Sequence, residues 1–118
     1  MLKMVDNCLG EILEILESTS LKENTLVIFC SDHGDLLGEH SLFAKDATFH
    51  ESEIKIPMMI RFPNGTHAGK QINHLASSID LVPTLLDYLN IKADISLPGK
   101  TLRSMIENNQ RSAGGGWL

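Results

Sequence analysis

An α/β fold is what this sequence predicts, on three observations. Residues 2–18 carry apolar side chains at helical spacing, residues 26–30 form an unbroken apolar run, and a short polar segment joins the two. A run of that length between polar flanks reads as a strand buried on both faces, the pattern of a parallel sheet covered by helices. Helix, short loop and buried strand together make one αβ unit. The 118 residues amount to about one domain. With 42% hydrophobic and 21% charged residues, the composition is that of a globular protein and argues against disorder.

The first helix rests on Leu2, Val5, Leu9, Ile12, Leu13 and Leu16, with Lys3, Asp6, Glu11, Glu14 and Glu17 on the other side. Gly10 weakens it by up to ~1 kcal/mol relative to Ala, and Ser18-Thr19-Ser20 begins the exit. Asn24-Thr25 then introduces the buried strand, Leu26-Val27-Ile28-Phe29-Cys30. Ser31-Asp32-His33-Gly34-Asp35 follows at the strand's carboxyl end, where open α/β sheets bind ligands.

Residues 36–53 show no period and read as a long irregular excursion with a short helix. Loops of this length in compact domains are often functional. Ile54 to Phe62 is a second strand, and Pro57, lacking an N–H, belongs at its start or on an edge. Pro63-Asn64-Gly65-Thr66 is turn chemistry. Gln71 to Ala76 reads as a short third strand. Asp80 is suited to cap a helix over 81–90, with Pro83 tolerated in its first turn. Leu97-Pro98-Gly99-Lys100 is another turn, and residues 102–108 a short helix. Residues 1–111 are expected to form the folded portion, and 112–118, with Gly114-Gly115-Gly116, a flexible tail.

Several function classes are excluded at this level. The net charge is −5 and the ten basic residues are spread thinly, so no nucleic-acid surface is expected. No run of ~18 apolar residues predicts a membrane span. Met1-Leu2-Lys3-Met4 does not open a signal peptide. Cys8 and Cys30 are too few for a disulfide scaffold and read as ordinary helix and buried strand residues.

Asp32 and His33 are the sharpest chemical feature. A carboxylate and an imidazole at a strand terminus, before a glycine that lets the chain bend, can both turn toward one divalent cation. The bland alternative is a turn in which Asp32 accepts backbone N–H bonds. Lys45 alone reads as a solvated lysine, and His40 as either a surface histidine or a residue near the same pocket. His50 at most orients the loop, and His74 reads as structural.

Residues 24–63, from Asn24-Thr25 through Ser31-Asp32-His33-Gly34, Gly38-Glu39-His40 and Lys45 to Ile56-Pro57 and Arg61-Phe62-Pro63, resemble the C-terminal part of the sulfatase family. That family belongs to the alkaline-phosphatase-like superfamily. Val5-Asp6-Asn7 and Leu9 to Leu13 resemble the helix before that strand, Ile79 to Asp87 the segment after it, and Leu97 to Leu102 the next turn. The similarity runs in order over residues 4–104. It implies part of an alkaline-phosphatase-like sandwich: helix, buried strand, long loop, strand, short strand, helix.

The resemblance further implies sulfuric ester hydrolysis, with Asp32 and His33 as ligands of a divalent cation, usually Ca²⁺. It makes Lys45 the residue that contacts the substrate's sulfate; His40 is a further substrate-side candidate only through its place between the metal motif and Lys45. A compact ammonium with three donors suits that role. The family's nucleophile is a formylglycine made from a Cys/Ser-x-Pro-x-Arg motif, which this sequence does not contain. The expectation is therefore a later portion of a longer catalytic domain, inactive alone because residues of one site act as a unit. Self-association, or docking to a missing N-terminal part, is expected of its apolar strand. A phosphonate or phosphate ester hydrolase of the same superfamily, or a non-catalytic metal- or partner-binding remnant, are the competing readings. The family is often exported or lysosomal, and nothing here fixes a compartment.

Overall fold

The computed structural model describes residues 2–45 and 49–109. The expected flexible tail, 112–118, lies outside them. The chain forms two compact units, residues 1–68 and 69–118.

The first unit opens on α1 (Leu2–Ser18), as the helical spacing predicts. At its end the hydroxyls of Ser18 and Thr19 donate to the Ile15 and Leu16 carbonyls at 2.9 and 3.0 Å. They serve carbonyls that a helix terminus otherwise leaves without partners. Glu17 pairs with both Lys22 and Arg61, tying the helix end to the following turn and to the second strand. None of the side chains of α1 is buried.

β1 (Val27–Cys30) and β2 (Met58–Arg61) pair with Val27 opposite Arg61 and Cys30 opposite Met58. This corrects the expectation of parallel pairing and burial on both faces. Among the described residues the sheet has two strands, and they run antiparallel. Most of β1 is half-buried and Cys30 is exposed. Pro57 immediately precedes β2, where its missing N–H leaves no gap in the ladder. Among the described residues the excursion between the strands contains one short α-helix, α2 (Glu51–Ile54), and a 3₁₀ turn, Glu39–Ser41. Among the described residues Leu36 and Phe62 are the buried apolar residues of this unit, with Phe62 set edge-on against His67.

The second unit is built around α3 (Leu81–Tyr88) and α4 (Arg103–Asn108). Gln71 to Ala76 forms no strand. Lys70, just before the segment, and His74 within it instead serve the end of α4: the Lys70 ammonium donates to the Ile106 and Glu107 carbonyls, and His74 Nε2 lies 3.3 Å from the Asn109 carbonyl. Capping also differs from expectation. Ser77 and Asp80 form a reciprocal capping box ahead of α3, because a 3₁₀ turn (Ser78–Asp80) starts the helix three residues earlier. Asp80 is buried, and its carboxylate accepts from the amides of Ser77 and Lys100 at 3.0 and 2.9 Å. Leu102, Met105 and Ile106 supply this unit's apolar core.

Candidate functional site

β1 ends at Cys30 and the chain turns at once. The Ser31 hydroxyl donates to the His33 carbonyl at 2.7 Å, and the His33 amide donates to Asp32 Oδ1 at 2.9 Å. The Gly34 amide donates to the Glu53 carbonyl at 2.7 Å, which fastens the turn to α2. These bonds hold Asp32 and His33 side by side, with Oδ2 3.6 Å from Nε2. The Asp32 side chain is 86% exposed, so its carboxylate is open to a ligand.

His33 Nδ1 lies 2.7 Å from the Gly34 carbonyl. A carbonyl can only accept, so in the neutral imidazole Nδ1 carries the hydrogen and Nε2 the lone pair. That is the orientation a metal-binding histidine takes when its other ring nitrogen is held by a backbone carbonyl. The His33 amide, foremost, holds the Asp32 carboxyl below the ordinary aspartate range. Asp32's own amide and the charges of His33 and Lys45 add to this, against a desolvation effect.

Lys45 follows a loop that folds back on itself. Leu36 is 2% exposed and anchors the loop's first arm. Its amide donates to the Ala44 carbonyl at 3.2 Å, and the Gly38 amide to the Leu42 carbonyl at 2.9 Å. The chain thus doubles back, and Lys45 follows directly on the residue paired with Leu36. Lys45 itself is exposed, and its charge is the smallest of the effects that act on the Asp32 carboxyl.

His40 sits at the far end of the same loop. Its ring stacks on His50, with centroids 4.2 Å apart and planes 21° from parallel, and its Nε2 lies 3.8 Å from Glu39 Oε1. The loop is rich in left-handed backbone: Leu37, Gly38, His40, Ser41, Ala44 and Phe49 all have positive φ. Three features were not read from the sequence: the Ser31 bridge, the partnership of His50, and the burial of Glu53. Each depends on contacts made only after folding, and no local pattern signals them.

The donor set can be tested against the divalent cation that sulfatases generally use. A carboxylate and an imidazole lone pair stand side by side, so the two residues fit part of a ligand set. Ca²⁺ takes about six to eight ligands, mostly oxygens. Among the described residues no group of three His, Cys, Asp or Glu converges as a metal site.

Comparison with known proteins identifies the family. The family model described as Sulfatase matches residues 1–91. An N-acetylglucosamine-6-O-sulfatase of Bacteroides thetaiotaomicron is 31% identical over 108 residues, which is 92% of this chain and 19% of that protein. The crystal structure of a phosphonate monoester hydrolase of Agrobacterium radiobacter superposes with a TM-score of 0.87. It is 33% identical, and the match covers 96% of this chain and 22% of that one. A further solved structure, a complex with its substrate D-glucosamine-2-N,6-O-disulfate, gives a TM-score of 0.79 at 30% identity. That match covers 88% of this chain and 21% of the other. The chain therefore spans about a fifth of the length of the relatives it matches. These matches support the α/β fold class expected of the sequence. The chain belongs to the sulfatase family.

Proposed function

We propose that this chain supplies one side of the active site of a sulfuric ester hydrolase. Asp32 and His33 are the cation ligands, Ca²⁺ being the ion, and Lys45 contacts the sulfate group. The observation that carries the reading is the convergence at the end of β1. Asp32 and His33 present a carboxylate and an imidazole lone pair together, and Lys45 follows the doubled-back loop that leaves their turn. When bound, the cation would offset negative charge on the ester's oxygens. The Lys45 ammonium donates to sulfate oxygens and balances charge developing on the leaving oxygen.

These residues include no nucleophile, and partial sites lose activity far out of proportion. The chain alone is accordingly expected to turn over little sulfate ester. The likeness to a phosphonate monoester hydrolase favours a second reading, in which the same three residues hold a phosphonate monoester.

The deciding experiment is calorimetric titration of Ca²⁺ into the purified chain beside an Asp32→Ala/His33→Ala double variant. Micromolar binding that disappears in the variant is the expected result. Equal binding by both proteins, or none by either, would sink the assignment of these ligands.

We also expect the chain to associate with itself. Among the described residues the two-stranded sheet leaves its outer edges unpaired, and exposed strand edges recruit further strands. Light scattering should return a mass above 13.0 kDa that rises with concentration; a monodisperse monomer counts against it.

A further inference from the structure

The His40–His50 stack has no part in the chemistry above, yet it joins the two sides of the segment that carries Lys45. Lys45 stands midway in sequence between the two histidines, five residues from each. His50 is in turn fixed to the site's floor, since its carbonyl accepts the Glu53 and Ile54 amides of α2. The Glu53 carbonyl in its turn accepts the Gly34 amide, beside Asp32 and His33. A continuous set of contacts therefore runs from the metal-side turn, through α2 and His50, across the ring stack to His40.

The backbone makes such a tie necessary. Residues other than glycine at positive φ cost energy and persist only where the surroundings over-determine them. Leu37, His40, Ser41 and Ala44 are all of this kind, within a single loop. The bonds of Leu36 to Ala44 and of Gly38 to Leu42 close the loop on itself. Neither ties it to α2. Among the described residues, the stack of His40 on His50 is the ring contact that does so.

We propose that His40 and His50 are a positioning pair for Lys45: their stacked rings hold the loop that carries the lysine against α2, to which the Asp32–His33 turn is also fastened. Neither ring needs to touch substrate. This role rests on the reading of Lys45 as the sulfate contact, and it makes the precision of that contact depend on a residue outside the chemistry.

The test uses the full chain in three forms: wild type, His50→Ala and His50→Phe. The first readout needs no ligand and is hydrogen exchange at the Leu36 amide, with the Ile28 amide of β1 as the reference for general stability. An aromatic pair contributes enough to change a local opening equilibrium by about two- to tenfold. His50→Ala should lose that much protection at Leu36 with little change at Ile28, and His50→Phe, which keeps a stacking ring, should restore it. Unchanged protection in His50→Ala, or failure of Phe to restore it, overturns the proposal.

The second readout is the shift of the Lys45 amide on titration with inorganic sulfate, with Lys45→Ala as control. Weaker apparent affinity in His50→Ala, recovered in His50→Phe, is the expected pattern. If Lys45 ignores sulfate in wild type while Leu36 behaves as described, the sulfate assignment fails and the positioning pair stands. If Lys45 responds equally in wild type and His50→Ala, the pair is overturned and the sulfate assignment stands.

Discussion

Gly34 and Ser52 stand closer than any side chain allows: a Cβ on Gly34 would lie 1.8 Å from the Ser52 carbonyl oxygen. The obstacle is backbone, so it cannot swing aside. The Gly34 amide bonds to the neighbouring Glu53 carbonyl, and the same approach therefore fixes where Asp32 and His33 point. The glycine of the Asp-His-Gly segment is there for closeness to α2 as well as for the bend.

Gly34→Ala should for that reason damage both stability and the site. Overpacking against fixed atoms costs typically about 1–3 kcal/mol and more where nothing can yield. A loss of about 3 kcal/mol would lower Tm by roughly 10 °C in a chain of this size. Calorimetry should show this fall together with weakened Ca²⁺ binding. A variant with wild-type Tm would show that α2 can move away freely.

In the second unit, Thr84 is a buried link between two segments far apart in sequence. Its hydroxyl donates to the Asp80 carbonyl at 2.6 Å and accepts from the Leu102 amide at 2.9 Å. Thr84→Val preserves the shape but leaves a buried amide without its acceptor, at a cost of about 1–3 kcal/mol. A urea titration should give a lower midpoint with an unchanged slope, and Thr84→Ser should recover part of the loss. A midpoint equal to wild type would mean that water or a shifted backbone replaces the hydroxyl.

How much of this was legible in the sequence follows from the range of each interaction. The bounds of α1 were readable because helical spacing is local and survives whatever the helix packs against. The run Leu26 to Cys30 signalled a strand, but a continuous apolar run reports burial and not the direction of a partner. The antiparallel match to Met58–Arg61 was outside its reach. Asp80 was marked as a capping residue, yet its bond to the Lys100 amide spans twenty positions and leaves no local trace. Of the proposed site, Asp32 and His33 stand out by residue type and position, and Lys45 only through family likeness. The Leu36–Ala44 bond that turns the chain back before Lys45, and the stack on His50, arise only in the folded chain.

Asp87 gives the second unit a defined response to acid. Its carboxyl is held below the ordinary aspartate range, first by the Thr101 hydroxyl, which donates to Oδ2 at 2.6 Å. Burial opposes the shift, and the Arg103 guanidinium at 3.1 Å from Oδ1 adds to it. A carboxyl whose folded value lies below its unfolded one binds fewer protons when folded. Its stabilisation is then present above the unfolded aspartate value of about 3.9 and is lost as pH falls through the folded value. Stability measured by urea unfolding should be level in this contribution above about pH 5 and decline below about pH 4. Asp87→Asn should lower the neutral plateau and make the acid decline shallower, since the group that must be protonated is gone. Glu17 and Asp32 are lowered as well, so a residual decline remains in the variant. Parallel acid limbs in wild type and Asp87→Asn would show that the Thr101–Asp87–Arg103 cluster contributes nothing to the pH dependence of folding.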